Sequence, residues 1–224
     1  LIVGRSEKMS KSKKNVIDPE DIIKTYGADT ARWFMLSDSP PDRDLDWTEG
    51  GITGAWRFAN RLWRLVANSA DSLPTDPAIS ENAEVRSAIH AAIAGVTEDL
   101  EAFHFNRSVA RIHELVNTLS DLEPETDGDV LHEGLEAVTR LIGPMMPHLA
   151  EELWKMLGHE TLVAESDWPA FDASLLVQET VKIAVQVRGK MRGTIEIAND
   201  ADQAMAEAAA IALPTVTAAL DGDE

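Results

Sequence analysis

The sequence predicts a mainly α-helical protein that ends in a small α+β domain. From residue 52 onward, apolar residues recur at i, i+3, i+4 and i+7, which is the spacing of helices with one buried face. From residue 181 the period changes to two, which is typical of β-strands. We expect a connective segment over 1–50, an antiparallel helix bundle over 51–160, a linker over 161–180 and a small α/β domain over 181–224.

Two short helices are predicted ahead of the bundle. The first has Asp18 as its N-cap, Pro19 at its first helical position and Gly27 just past its end. The second follows directly and stops before Pro40, because proline cannot continue a helix.

The bundle is predicted to contain several long amphipathic helices. The apolar face of its first helix is formed by Ile52, Ala55, Trp56, Ala59, Leu62, Trp63 and Val66, so both tryptophans are expected in the core, as are Trp33, Phe34 and Trp154. Further helices are expected over 81–103, 107–121 and 130–157, with Ser80, Asn106 and Asp129 as their N-caps and a break at Pro144 and Pro147.

The small domain is predicted to begin with a β-hairpin over residues 181–197. Its apolar residues fall on odd numbers, and Gly189 can adopt the positive φ that a hairpin turn requires. An alanine-rich helix over 201–212 follows, and the chain ends shortly after Pro214. Because two strands and one helix make a thin domain, we also expect a further strand beyond residue 224.

Composition excludes several classes of protein. The 224 residues are 44% hydrophobic, which suffices for a packed core. The absence of cysteine and the scattered positions of the six histidines give no expectation of a bound metal. No apolar run approaches the roughly 20 residues that span a bilayer, so we expect no membrane contact and a cytoplasmic location.

Basic residues are concentrated in two places within a chain of net charge -19. Residues 1–15 carry five basic side chains against one acidic one, and residues 181–193 carry four basic side chains and no acidic one. The overall charge argues against indiscriminate binding of nucleic acid. Two local clusters can still contact phosphates at defined places, or they can be ordinary solvated surface.

The first cluster contains the pentapeptide "KMSKS", residues 8–12. It is not a P-loop, because it lacks the second glycine that lets backbone amides wrap a phosphate. It instead resembles the five-residue signature of the class I aminoacyl-tRNA synthetases.

The similarity to this family extends along the chain. The segments "KMSKSKKNVIDPEDIIKTYGADTARWFML", "LDWTEGGITGAWRFANRLWRLV", "LIGPMMPHLAEELW", "SDWPAFD" and "VQVRGKMRGTIEI" resemble the C-terminal part of the bacterial leucyl-tRNA synthetases. The isoleucyl and valyl enzymes share the first and third segments loosely. They look unlike this chain in "SPPDRDLDW" and in the terminal hairpin, so leucine specificity is favoured.

The resemblance implies a mechanism and a set of ATP-binding residues. In this family the carboxylate of the amino acid attacks the α-phosphate of ATP, and pyrophosphate leaves. Lys11 matches the lysine that contacts the ATP phosphates, and Lys8 matches its partner, which supports the loop or the leaving pyrophosphate. Ser10 and Ser12 let the loop close over the nucleotide, and Met9 is expected to pack as an apolar anchor. Lys13 and Lys14 are better interpreted as solvated lysines.

Two groups of basic residues are candidates for binding tRNA. Arg57, Arg61 and Arg64 lie at i, i+4 and i+7 on one helix face, where they could contact the tRNA backbone or pair with neighbouring acids. Arg188, Lys190 and Arg192 alternate along the hairpin, so we expect them to share its polar face and to contact phosphates.

The resemblance also defines partners and an alternative. It implies a fragment that is inactive alone and that belongs to a monomeric ligase using ATP with Mg²⁺, leucine and tRNA(Leu), with the amino-acid site and the editing domain before residue 1. It also implies that the bundle over 51–160 is a tRNA-binding domain of the anticodon-binding type. The alternatives are a free-standing tRNA-binding module or a fragment of an isoleucyl- or valyl-type synthetase.

Overall fold

A computed structural model describes residues 7–176, 180–198 and 201–221. The elements in these ranges are α1 (Pro19–Tyr26), α2 (Ala28–Ser37), α3 (Glu49–Ser69), α4 (Ala83–Glu101), α5 (Phe105–Ser120), α6 (Pro124–Ile142), α7 (Pro147–Met156), β1 (Thr180–Val187), β2 (Lys190–Ala198), α8 (Gln203–Ile211) and α9 (Pro214–Asp221). The mainly α fold with one antiparallel hairpin is therefore confirmed.

The chain forms two compact units, one that ends at Asp172 and one that begins at Ala173. The first unit contains helices α1 to α7 around one continuous apolar core. The second has a small core of its own, made by Val187, Val216 and Ala219. The finer division of the chain at residues 50 and 160 stays a prediction.

The two short helices form as the sequence predicts. An Asp18 carboxylate oxygen accepts the Glu20 N–H at 2.9 Å, and Pro19 occupies the first turn of α1. Gly27 separates α1 from α2 with a φ of 89°, which residues with a Cβ rarely adopt. Local sequence therefore predicts where α1 ends and α2 begins.

The buried face of α3 is rotated from the predicted one. Ile52, Phe58 and Leu62 are buried, whereas Trp56 and Trp63 are 42% and 41% exposed. Each tryptophan directly follows a residue on or beside the core stripe, which places it about 100° around the helix from that stripe. The prediction that these two tryptophans belong to the core was wrong, while Trp33, Phe34 and Trp154 are buried as expected.

The predicted N-caps of α4 and α5 were also wrong. Asn82 caps α4, because its Oδ1 accepts the Val85 N–H at 3.2 Å, while Ser80 accepts the N–H of Asn82 itself. Helix α5 begins at Phe105 after His104, whose side chain makes no capping bond, so Asn106 is already helical.

Helix α6 begins earlier than predicted and ends where expected. It starts at Pro124, a residue suited to a first helical position, and Asp129 instead accepts the N–H of Ala78 at 3.0 Å. The helix ends at Ile142 and α7 begins at Pro147, so the predicted break is confirmed.

The second unit contains one helix more than predicted. Strands β1 and β2 are joined by a two-residue turn in which Arg188 and Gly189 have φ values of 51° and 80°. Helix α8 follows, and Pro214 then opens α9 instead of marking the end of regular structure. Among the described residues no single helix is long and apolar enough to cross a membrane, although α8 and residues 214–220, bent by 85°, satisfy length and composition as a pair.

The surroundings of one histidine in the first unit disfavour its protonation. The His113 ring lies 4.2 Å from the Phe58 ring and 5.9 Å from the Trp33 ring, measured between centroids. Burial lowers the pKa of His113 below its ordinary value of 6.5, and the nearby Arg61 cation lowers it further. Protonation of this ring therefore costs more in the folded protein than in the unfolded chain.

Acid should destabilise the first unit through His113. The pKa of His113 in the folded protein lies below 6.5. Its contribution to the free energy of unfolding is therefore present above pH 6.5 and is lost as the pH falls. The His113→Phe variant should lose less unfolding free energy than the parent between about pH 7.5 and about pH 5.5. Denaturant unfolding followed by tryptophan fluorescence measures this in the first unit, because all six tryptophans precede residue 173.

His132 provides a control of opposite sign. A hydrogen bond with Glu136 raises the pKa of His132, so its contribution is present below 6.5 and is lost as the pH rises through the folded value. The His132→Gln variant should therefore be more sensitive to acid than the parent. Equal pH dependence of stability in His113→Phe and His132→Gln would contradict the opposite pKa shifts assigned to the two histidines.

Two helical glycines should respond oppositely to alanine. A Cβ on Gly134 would lie 2.3 Å from a Leu119 methyl carbon, whereas a Cβ on Gly54 would meet nothing within 4 Å. Gly134→Ala should destabilise the fold by about 1–3 kcal/mol through overpacking between α5 and α6. Gly54→Ala should stabilise it by about 0.5–1 kcal/mol, and the same denaturant titration compares the two.

Candidate functional site

The lysine-rich loop has a defined local shape in residues 8–15. A short 3₁₀ turn, Lys11–Lys13, follows Ser10, whose Oγ accepts the Lys13 N–H at 3.3 Å. The Ser10 and Ser12 hydroxyl oxygens lie 3.2 Å apart. Lys14 ends the turn with a φ of 54°. Hydrogen bonds of the two serines therefore help to set the shape of the loop.

Asn15 closes the loop, and the sequence reasoning missed it. Its Oδ1 accepts the Ser10 N–H at 2.8 Å, and its Nδ2 donates to the Lys8 carbonyl oxygen at 3.3 Å. The available signal was an asparagine at the end of a lysine run, since Asn side chains readily bond nearby backbone in turns. These bonds tie the end of the loop at Asn15 back to Lys8 and Ser10.

The two lysines assigned to ATP lie on the outside of this loop. Lys8 and Lys11 are exposed, and within the described part of the chain neither ammonium group has a hydrogen bond or an ion pair. Lys13 instead pairs with Glu7 at 2.6 Å. Met9 is 42% exposed, so the expectation that it packs as an anchor is not met in this arrangement. Among the described residues, Lys8, Lys11 and Lys14 of this loop have no ion-pair partner, so the loop presents exposed positive charge.

Helix α2, the second helix after the loop, is anchored in the bundle. Trp33 and Phe34 of α2 are buried, and the Trp33 ring stacks on Phe58 of α3 at 4.7 Å between centroids. Phe34 makes an edge contact with Trp47 at 5.0 Å. Since α1 alone separates the loop from α2, this packing determines where the loop is attached to the bundle.

The three arginines of α3 differ in their surroundings. Arg61 donates from Nη2 to the Val116 carbonyl oxygen at 3.2 Å and to the Ser120 Oγ at 3.0 Å, so it ties α3 to the end of α5. Arg57 and Arg64 are exposed one turn to either side, and no ion pair involves them within the described ranges. The exposed Trp56 and Trp63 directly precede these two arginines. The outward surface of α3 is therefore a repeated Trp–Arg pair.

The sequence predicted that the three hairpin cations share one face, and this prediction was wrong. Val185 pairs with Gly193 and Gln186 pairs with Met191, so Arg192 is an extra residue in β2. This bulge reverses the alternation beyond it and places Lys190 opposite the buried Val187. Arg188 lies in the turn. The three cations consequently surround the end of the hairpin instead of lining one of its sides.

Polar residues also line a cleft of about 480 Å³ beside α6. Glu136 accepts from His159 at 2.7 Å and from Arg140 at 3.0 Å. A hydrogen bond with His132 lowers the pKa of Glu136, as do the charges of its other neighbours. Across the described ranges, no three His, Asp or Glu side chains are grouped so that they could hold a metal ion.

Two family models match different parts of the chain. The model described as "tRNA synthetases class I (I, L, M and V)" matches residues 2–48, which include the lysine-rich loop and α2. The model described as "Anticodon-binding domain of tRNA ligase" matches residues 82–209. The loop and most of the bundle therefore lie in two separate family regions, residues 2–48 and residues 82–209, each matched by its own family model.

The chain is similar to leucine–tRNA ligases from several bacteria. It is 58% identical to that of Paramagnetospirillum magneticum over 98% of this chain and 26% of the relative. It is 52% identical to those of Parvibaculum lavamentivorans, over 99% of this chain, and Rhodospirillum rubrum, over 98%, again covering 26% of each relative. The chain thus spans about a quarter of the length of these relatives.

A solved structure shows the same fold. The crystal structure of a LeuRS–tRNA–LeuAMS ternary complex from Agrobacterium radiobacter K84 superposes with a TM-score of 0.77 at 31% sequence identity. The match covers 96% of this chain and 29% of that one. The similarity inferred from the pentapeptide and its flanking segments is confirmed.

Proposed function

This chain belongs to the family of tRNA ligases that carry an anticodon-binding domain, and we propose that it forms part of a leucine–tRNA ligase. The observation that carries the proposal is the loop of residues 8–15, in which Lys8 and Lys11 are exposed on a closed, hydrogen-bonded turn. The 50–58% identity to leucine–tRNA ligases supports leucine as the amino acid.

We propose that Lys11 and Lys8 act on the phosphates of ATP. When the leucine carboxylate attacks the α-phosphate and pyrophosphate leaves, negative charge grows on oxygen atoms that water would otherwise solvate. An ammonium group with no competing partner can stabilise that charge. Any Mg²⁺ would enter bound to ATP, and we assign no residue of this chain to it.

The serines and Asn15 supply the shape of the loop. Their hydrogen bonds lie within residues 8–15, so the turn can move over a nucleotide as one piece. The exposed Met9 would then find its apolar contact only when the loop closes. Met9, Ser10 and Ser12 thus remain proposed ATP-binding residues.

We further propose that tRNA(Leu) contacts the Trp–Arg surface of α3 and the end of the hairpin. Arg57 and Arg64 can neutralise phosphates, while the exposed indoles offer flat apolar surface for a sugar or base. Arg61 is better assigned to holding α3 against α5. Arg188, Lys190 and Arg192 form the second proposed contact. The complete ligase is proposed to act as a monomer in the cytoplasm.

Replacing Lys11 should impair the activation step. In the intact ligase, Lys11→Ala should lower the rate constant of leucine-dependent pyrophosphate exchange by at least about a hundredfold, the scale of losing one such electrostatic contact. The affinity for leucine should change little, because the lysine acts on phosphate. Exchange kinetics at varied leucine concentration separate the two quantities.

A matched control removes a different charge from the same loop. Lys14 has a left-handed φ of 54°, which asparagine tolerates, so Lys14→Asn removes one cation with little strain. Its exchange rate should stay within a few-fold of the parent rate. Equal losses in both variants would indicate a general charge effect and would contradict the specific role of Lys11.

The α3 arginines should determine part of the salt dependence of tRNA binding. Each phosphate contact adds a little under one unit to the slope of log K against log salt, so Arg57→Ala with Arg64→Ala should flatten the slope by about two units at most. Arg61→Ala should lower thermal stability and leave the slope nearly unchanged. Binding of tRNA(Leu) to the ligase at several salt concentrations measures each slope, and an unaltered slope in the double variant would remove α3 from the tRNA contact.

A further inference from the structure

Asp29 is a buried carboxylate that the proposed chemistry does not use. It lies in the first turn of α2 and is only 7% exposed. A buried charge is costly unless hydrogen bonds and opposite charges compensate it. The partners of Asp29 therefore indicate why a carboxylate is present at this position.

Both oxygens of Asp29 are occupied, and two of its three partners lie far along the chain. Oδ1 accepts from Arg32 Nη1 at 2.8 Å and lies 2.9 Å from His148 Nδ1. Oδ2 accepts the Leu149 backbone N–H at 2.7 Å. The carboxylate thus links the start of α2 to the start of α7.

Helix α7 depends on this carboxylate for its N-terminal cap. Its own N-cap residue is Met146, whose side chain makes no capping hydrogen bond, and its first helical residue is Pro147, which has no N–H. The Leu149 N–H is at the position that a capping oxygen normally serves. Asp29 supplies that oxygen from another helix, and its negative charge is favourable at the N-termini of both α2 and α7.

The link joins the two family regions of the chain. Asp29 lies within residues 2–48, matched by the class I synthetase model, and Leu149 lies within residues 82–209, matched by the anticodon-binding model. Apolar packing such as the Trp33–Phe58 stack holds α2 against the bundle but is not directional. The two hydrogen bonds that cross from Asp29 to α7, with His148 and Leu149, fix the angle and the register of α2 as well.

We propose that Asp29 is a positioning residue that sets the place of the Lys8–Lys11 loop relative to the tRNA-binding bundle. This inference rests on the proposed function. The loop precedes α2 by one short helix, so a change in the angle of α2 would displace the lysines relative to a tRNA bound on α3. Transfer of leucine to tRNA requires both regions in register, whereas activation of leucine requires no tRNA.

Hydrogen–deuterium exchange of this chain tests the link itself. Asp29→Ala should accelerate exchange at the Leu149 amide and throughout α1 and α2 by at least about tenfold, while the α4 and α5 amides keep their parent rates. Asp29→Asn keeps one acceptor oxygen and should give a smaller effect. Asp21→Asn removes an exposed carboxylate of α1 and serves as the matched control. Unchanged exchange at Leu149 in Asp29→Ala would overturn the proposal.

The kinetics of the intact ligase test the consequence. Asp29→Asn should leave leucine-dependent pyrophosphate exchange within about threefold of the parent and lower kcat for charging tRNA by at least about tenfold. Equal losses in both reactions would indicate a merely structural role and overturn the proposal, as would no loss in either. A parent ligase that activates an amino acid other than leucine would refute the proposed function, yet the exchange data would still show whether Asp29 links α2 to α7.

Discussion

The burial of α2 against α3 is the constraint on which the arrangement of the first unit depends. Trp33 is 1% exposed and stacks on Phe58 with an angle of 1° between the ring planes. Its indole N–H is buried without a hydrogen-bond acceptor among the described residues. An unmade bond of this kind costs about 1–3 kcal/mol, so the apolar contact must be favourable enough to offset it. Helix α2 is therefore held by packing first and oriented by polar bonds second.

The distribution of charge follows from the same bundle. Three arginines of the first unit are neutralised where helices meet: Arg86 by Glu133 at 3.0 Å, and Arg107 and Arg111 by Asp99 at 3.1 Å and 2.7 Å. Other cations, such as Arg57 and Arg64, face outward on an acidic protein. Acidic surface repels phosphate elsewhere, so a nucleic acid or a nucleotide would be directed to these outward cations. A strongly negative chain can in this way bind a polyanion selectively.

How much of the structure the sequence predicts depends on how local the cause is. Asp18, Pro19 and Gly27 act on their immediate neighbours, and the helix they delimit was predicted correctly. The caps of α4 to α6 were predicted wrongly: Asn82 caps α4 in place of Ser80, and α5 and α6 begin without a side-chain capping bond. In the hairpin, one extra residue in β2 reverses the alternation that the prediction used.

The tertiary roles were beyond local reasoning for a physical reason. Arg61 finds its acceptors at Val116 and Ser120, and Asp29 finds Leu149 120 residues away, so no short window of sequence contains both partners. Periodicity also failed for Trp56 and Trp63, since it reports which residues are apolar and not how far around the helix the core extends. The surface tryptophans are visible only when neighbouring helices define that boundary.

In the loop of residues 8–15, the interactions that set its shape are separate from those that attach it to the bundle. Its shape comes from Ser10 and Asn15, whose bonds stay within the loop, whereas its place comes from α2, whose contacts lie in the bundle. A loop that had to bond the bundle to keep its shape would lose that shape on moving. Because these bonds are internal, the turn can change position about the segment before α1 and still present Lys8 and Lys11 together. Separation of shape from attachment is what a loop requires if it is to close on a nucleotide and reopen without refolding.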